Sequence, residues 1–147
     1  MATSIISEKE LRIWATDLPA LNTLVDGVRW SPEDIEQAII NTVDKFNTIM
    51  PPTGMIYTPE SFPSRSLLAT GVWGWLLKGA AVGEASNNLQ YSATGVQIND
   101  RDKAQVFMEM GNDFWKEFIE SAKELKLSQN ISRAYGTIHS EYNWRAY

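Results

Sequence analysis

Apolar residues recur at helical spacing in four stretches of this chain, and the polar residues between them carry signals that start and stop helices. Ser7 stands three residues before Glu10, the spacing of a capping box, with Ile6 and Leu11 placed as the halves of a hydrophobic staple. A first helix therefore starts at Ser7 and carries Leu11, Trp14 and Ala15 as its apolar stripe. Pro19 disfavours helix in its predecessor and opens a second short helix through Leu21, Leu24 and Val25, closed by Asp26-Gly27. The next helix is capped by Ser31, with Pro32 in its first position and Glu33 and Asp34 at the positive end of its dipole. Ile35, Ala38, Ile39, Thr42, Val43, Phe46 and Ile49 form its regular buried face, and Pro51-Pro52 stops the pattern at Met50. The connector PPTGMIYTPESFP is predicted non-helical.

Pro63 marks the start of a third helix whose residues 67–85 are apolar nearly all round, as in a central helix surrounded by others. Gly71, Gly74, Gly79 and Gly83 cost about 1 kcal/mol each against alanine in a helix interior, so close approach of neighbouring helices is the expected compensation. Trp73, Trp75 and Leu76 fill the space elsewhere. Residues 89–98, LQYSATGVQI, alternate as a small hairpin turning at residues 93–95, too short to stand alone as a sheet. Asn99 or Asp100 caps the fourth and longest helix. Its apolar face runs through Phe107, Met108, Gly111, Phe114, Trp115, Phe118, Ala122 and Leu125, opposite Glu109, Asp113, Lys116, Glu120 and Lys123.

That periodicity stops at Leu127. Residues 128–147, SQNISRAYGTIHSEYNWRAY, fit neither helix nor strand, yet Tyr135, Tyr142, Trp144 and Tyr147 concentrate aromatic surface of the kind found at interface hot spots. The segment either folds back over its own domain or covers a partner. The second is favoured, because segments unable to bury themselves order on binding. The pattern as a whole predicts an all-α, four-helix bundle-like domain over residues 1–127, one short β-hairpin-like loop, and an extended C-terminal arm over residues 128–147. Contact residues are expected in the arm first (Tyr135, Tyr142, Trp144, Tyr147), then at Tyr57 in the connector and Tyr91 in the hairpin-like loop.

Composition narrows this further. At 147 residues the chain is long enough for one core and too short for two. It contains no cysteine, which removes disulfides, thiolate nucleophiles and Cys-type zinc sites, and an intracellular assembly site fits best. The N-terminal MATSIISEKE lacks a basic segment followed by an apolar one and is not read as a secretory signal. Residues 67–82 contain Lys78 and fall short of the roughly 20 apolar residues a bilayer span needs, so no membrane is expected. Thirteen basic against eighteen acidic residues give a net charge of −5 with no basic stripe, which argues against direct nucleic-acid binding.

Candidate chemistry is thin. The one histidine, His139, lies beside Ser140 and Glu141 in the aperiodic segment, where nothing promises a rigidly held base. Residues 99–102, Asn-Asp-Arg-Asp, resemble the start of a calcium loop but lack its glycine and its closing glutamate, and read better as a helix cap. Gly79 and Gly83 make no phosphate loop, since no Gly-Lys-Ser/Thr follows. Glu84, at the end of an apolar helix, needs a donor, and Arg65 or Lys78 is the expected partner in a structural ion pair. No catalytic residue, cofactor or metal site is expected, and the protein is not read as an enzyme.

Three motifs in order carry a resemblance. R-x-W-x-x-D-L-P-x-L-N (residues 12–22), W-S-P-E-D-I-E-x-A-I leading to F-N and a double proline (residues 30–52), and Y-S-A-T-G-V (residues 91–96) together resemble small virion proteins of tailed bacteriophages, in particular helical head-to-tail connector, or adaptor, subunits. The resemblance covers most of residues 12–120 and leaves out the segment after Leu127. It implies a structural virion protein that forms a homo-oligomeric ring, commonly twelve-fold, beneath the portal, with portal and tail or neck proteins as partners. Other neck, baseplate or tail-completion proteins are the nearest alternative, and a helical regulatory or small-ligand-binding domain is the alternative of a different class.

Overall fold

A computed structural model of the chain describes residues 4–21, 27–86, 91–93, 96–98 and 101–135. Among these, the fold is all-α, built from four helices: α1 (Glu8–Trp14), α2 (Pro32–Thr48), α3 (Arg65–Ser86) and α4 (Arg101–Tyr135). Between α3 and α4, β1 (Tyr91–Ala93) and β2 (Val96–Ile98) pair antiparallel, Tyr91 opposite Ile98. The central element is α3, which packs on α2 on one side and α4 on the other.

Local signals set the helix starts. Ser7 and Glu10 form the expected capping box, and both staple residues, Ile6 and Leu11, are buried. Ser31 and Asp34 repeat the device at α2, whose predicted face is buried from Ile35 to Phe46 and continues into Ile49 at the C-cap. One start is corrected. Ser64 rather than Pro63 opens α3, its hydroxyl accepting from the Leu67 amide at 3.3 Å. The predicted short helix after Pro19 is described only as far as a turn, Leu21 N–H to Leu18 C=O at 2.9 Å; residues 22–26 lie outside the described residues.

Phe46 is the hub of the core. Tyr57 and Phe62 of the connector meet it edge-on at 5.4 and 4.8 Å between ring centres, so the non-helical connector is folded onto the bundle. The Asn47 side-chain amide fastens it too, donating to the Tyr57 carbonyl and accepting from the Tyr57 amide, both at 2.9 Å. Two of the four α3 glycines have the expected reason. A Cβ on Gly71 would lie 2.8 Å from the Phe118 ring and against the Thr42 methyl, and one on Gly74 would lie 3.0 Å from the Trp115 backbone nitrogen. Gly111 of α4 returns the contact, 3.0 Å from the Lys78 nitrogen by the same measure. Gly79 and Gly83 face open space, and Trp75 and Val82 are exposed, so the C-terminal half of α3 is not surrounded.

The largest correction concerns the C-terminal arm. α4 does not stop at Leu127 but runs through residue 128 to Tyr135, so the first eight residues of the predicted arm are helical. The reason is a polar face that a count of apolar residues does not register. Lys126, Gln129, Asn130 and Arg133 follow the i, i+3, i+4, i+7 spacing of one helix face. That face docks on the end of α2 and the connector: Lys126 Nζ donates to the Ile49 carbonyl at 2.6 Å, Asn130 Nδ2 to the Pro52 carbonyl at 3.0 Å, and Arg133 to the Thr53 carbonyl. Tyr57 completes the clasp by donating its hydroxyl to Gln129 Oε1 at 2.9 Å.

Candidate functional site

Two surfaces present chemistry, one at each end of α4. The first is built by the turn after α1. With Thr16 in the left-handed region at φ 54°, the chain reverses and brings Asp17 back beneath the helix. There the Asp17 carboxylate accepts from the Arg12 guanidinium at 2.8 Å, and both side chains are almost completely buried. Asp17 also accepts from the Arg29 amide at 2.7 Å, while Arg12 donates to the Trp30 carbonyl at 2.9 Å and to Glu8 at 2.7 Å. The pair thus locks residues 29–30 against α1 and fixes where their side chains go. Arg12, Asp17 and Trp30 are all residues of the motifs that carry the resemblance, and here they have a structural role.

What this lock positions is an aromatic cavity of about 410 Å³ between α1, α3 and α4, lined by Trp14, Trp30, Trp73, Phe107, Met110 and Phe114. Trp30 meets Trp73 edge-on at 5.3 Å. At the rim, the Arg29 guanidinium lies 4.7 Å above the Phe107 ring and 5.9 Å from that of Trp30. Trp14, expected in the apolar stripe of α1, is instead 59% exposed, at the last residue of that helix. Sequence reasoning missed this site: Phe107, Met110 and Phe114 have core spacing, and no pattern in the sequence marks Trp14 as exposed.

The other end of α4 carries further exposed apolar side chains. Met50, Met55 and Ile56 of the connector are exposed, as are Leu127, Ile131 and Tyr135 along one stripe of α4. Tyr135, a predicted contact residue, is 75% exposed and belongs to the α4 stripe. Tyr57, also predicted, does not: it is 7% exposed, with its ring in the core and its hydroxyl on Gln129. Tyr91 lies on β1, placed by backbone register alone. Tyr142, Trp144, Tyr147 and His139 lie outside the described residues.

Burial sets the electrostatics of the clasp. Lys126 is 1% exposed, and desolvation pushes its pKa down even though its ammonium reaches the Ile49 carbonyl and lies 4.8 Å over the Phe46 ring. Glu84 lines a neighbouring opening whose wall also holds Asp34 and, shared with the aromatic cavity, Arg29 and Trp30; neither expected partner pairs with it, since Arg65 pairs with Glu10 at 3.5 Å and Lys78 lies 5.3 Å over the Trp115 ring. Among the described residues there is no group of three metal-ligating side chains and no helix long and apolar enough to cross a membrane. Comparison with known protein families, with curated proteins and with solved structures finds no match to this chain.

Proposed function

We propose that the chain is a structural virion protein, a ring subunit of the head-to-tail connector of a tailed bacteriophage, joining the portal to tail or neck components after assembly in the host cytoplasm. The observation that carries this reading is the pair of unburied apolar surfaces at the two ends of α4, one around Trp14 and Met110 and one along Leu127, Ile131 and Tyr135. A subunit of a closed ring presents two dissimilar faces to its neighbours, and each must leave apolar area uncovered in the isolated chain. The order of the three sequence motifs supplies the phage context. Residues after Tyr135 would extend the contact into an adjoining ring, with Tyr142, Trp144 and Tyr147 as anchors.

Mass spectrometry of purified virions, with electron microscopy of the chain co-expressed with its portal protein, tests the proposal. The expected result is a stoichiometric virion component that forms rings on the portal. A chain never found in particles would overturn it and favour the small-ligand-binding alternative, for which the aromatic cavity is the specific support.

A further inference from the structure

We infer that the aromatic cavity is the socket for the α4 end of a second copy of this chain, with Leu127 and Ile131 entering it and Glu124 pairing with Arg29. The inference rests on the ring reading above and names the contact that would build the ring. On the socket side, the cavity of about 410 Å³ has a rim made of exposed Trp14, exposed Met110 and Arg29. Tryptophan, methionine and arginine are the residues that interfaces enrich. The Arg29 guanidinium is stacked on ring faces and makes no ion pair among the described residues. Stacking leaves the planar N–H edge of an arginine available for a carboxylate.

The complementary groups occur together elsewhere on the chain. Glu124, Leu127 and Ile131 are exposed at i, i+3 and i+7, so one face of α4 presents a carboxylate one turn before two aliphatic side chains. Leu127 and Ile131 lie 17 and 21 residues from Met110 on the same helix, about 25 and 31 Å along its axis, so plug and socket of one chain cannot meet. They meet only between copies. Because the two faces differ, the contact is heterologous and propagates head to tail, whereas pairing two α4 ends would leave Trp14 and Arg29 uncovered.

The test uses the full chain and sedimentation velocity, with circular dichroism to confirm folding. The substitutions fall on exposed side chains, so the variants are expected to fold. A socket variant (Trp14→Ala with Arg29→Glu) and a plug variant (Leu127→Ala with Ile131→Ala) should each stay monomeric where the unaltered chain associates. Mixed, they should form a dimer and nothing larger, since each supplies the face the other lacks. Arg29→Glu alone should weaken association by roughly tenfold or more, and Glu124→Arg in the same chain should restore it. An unaltered chain that remains monomeric at millimolar concentration, variants that associate as it does, or a mixture that stays monomeric would each overturn the inference. Virions that contain the chain while these substitutions leave association unchanged would sink the socket and spare the ring reading. Head-to-tail association by a chain absent from particles would do the reverse.

Discussion

Arg12 and Asp17 illustrate how much can depend on one buried pair. Their bond joins α1 to the loop that sets Arg29 and Trp30, and Arg12→Ala would leave the Asp17 carboxylate buried with its cation gone. The expected loss is about 3 to 5 kcal/mol in urea denaturation. A loss under about 1 kcal/mol would show that the lock is not needed for the fold. Two other residues set opposite pH responses. Backbone and hydroxyl hydrogen bonds from Ser7 hold the Glu10 carboxylate below its usual range, so its contribution is present above the unfolded pKa and fades as pH falls through the folded one. Burial lowers the Lys126 pKa, so in the window between that lowered value and an ordinary lysine the unfolded chain binds the extra proton, and stability rises with pH. Thermal melts on the alkaline side should show this rise in the native chain, and Lys126→Met should abolish it.

At the scale of elements, the starts of α1 and α2 and the buried face of α2 were legible in the sequence, because Ser7, Ser31 and the 3.6-residue apolar rhythm are local. The C-terminal extent of α4 was not, because the carbonyls that Asn130 and Arg133 bond and the Tyr57 hydroxyl that Gln129 accepts lie on the connector, 72 to 80 positions away in sequence. The aromatic cavity escaped for a similar reason: Trp14 and Phe107 have core spacing, and only the folded arrangement shows that they line an opening and that Trp14 is exposed. The glycines of α3 divide by the same criterion. Gly71→Ala should cost about 1 to 3 kcal/mol, since the new methyl meets the Phe118 ring. Gly79→Ala, facing open space within the helix, should stabilise by about 0.5 to 1 kcal/mol. Paired denaturation curves check both, and equal effects at the two sites would mean that α3 and α4 do not pack as described.

At the scale of the molecule, α4 is a strut of 35 residues, about 52 Å long, held in its middle by α3 and near its end by the connector. Removing residues 128–147 deletes three of the side chains that make the second attachment, so the shortened chain should lose about 2 to 4 kcal/mol, whereas truncation after Tyr135 retains them. If calorimetry finds both truncations melting together, the clasp contributes nothing to stability.

The clasp also has a consequence for the order of events in folding. Its hydrogen bonds join residues 72 to 80 positions apart, so the loop-closure entropy between α2 and the end of α4 must be overcome before any of them forms. The capped helices and the α3–α4 glycine contact are more local and need not wait for it. The clasp should therefore close after the rate-limiting barrier. In stopped-flow measurements, Gln129→Ala or Asn130→Ala should move the unfolding limb of the chevron and leave the folding limb in place.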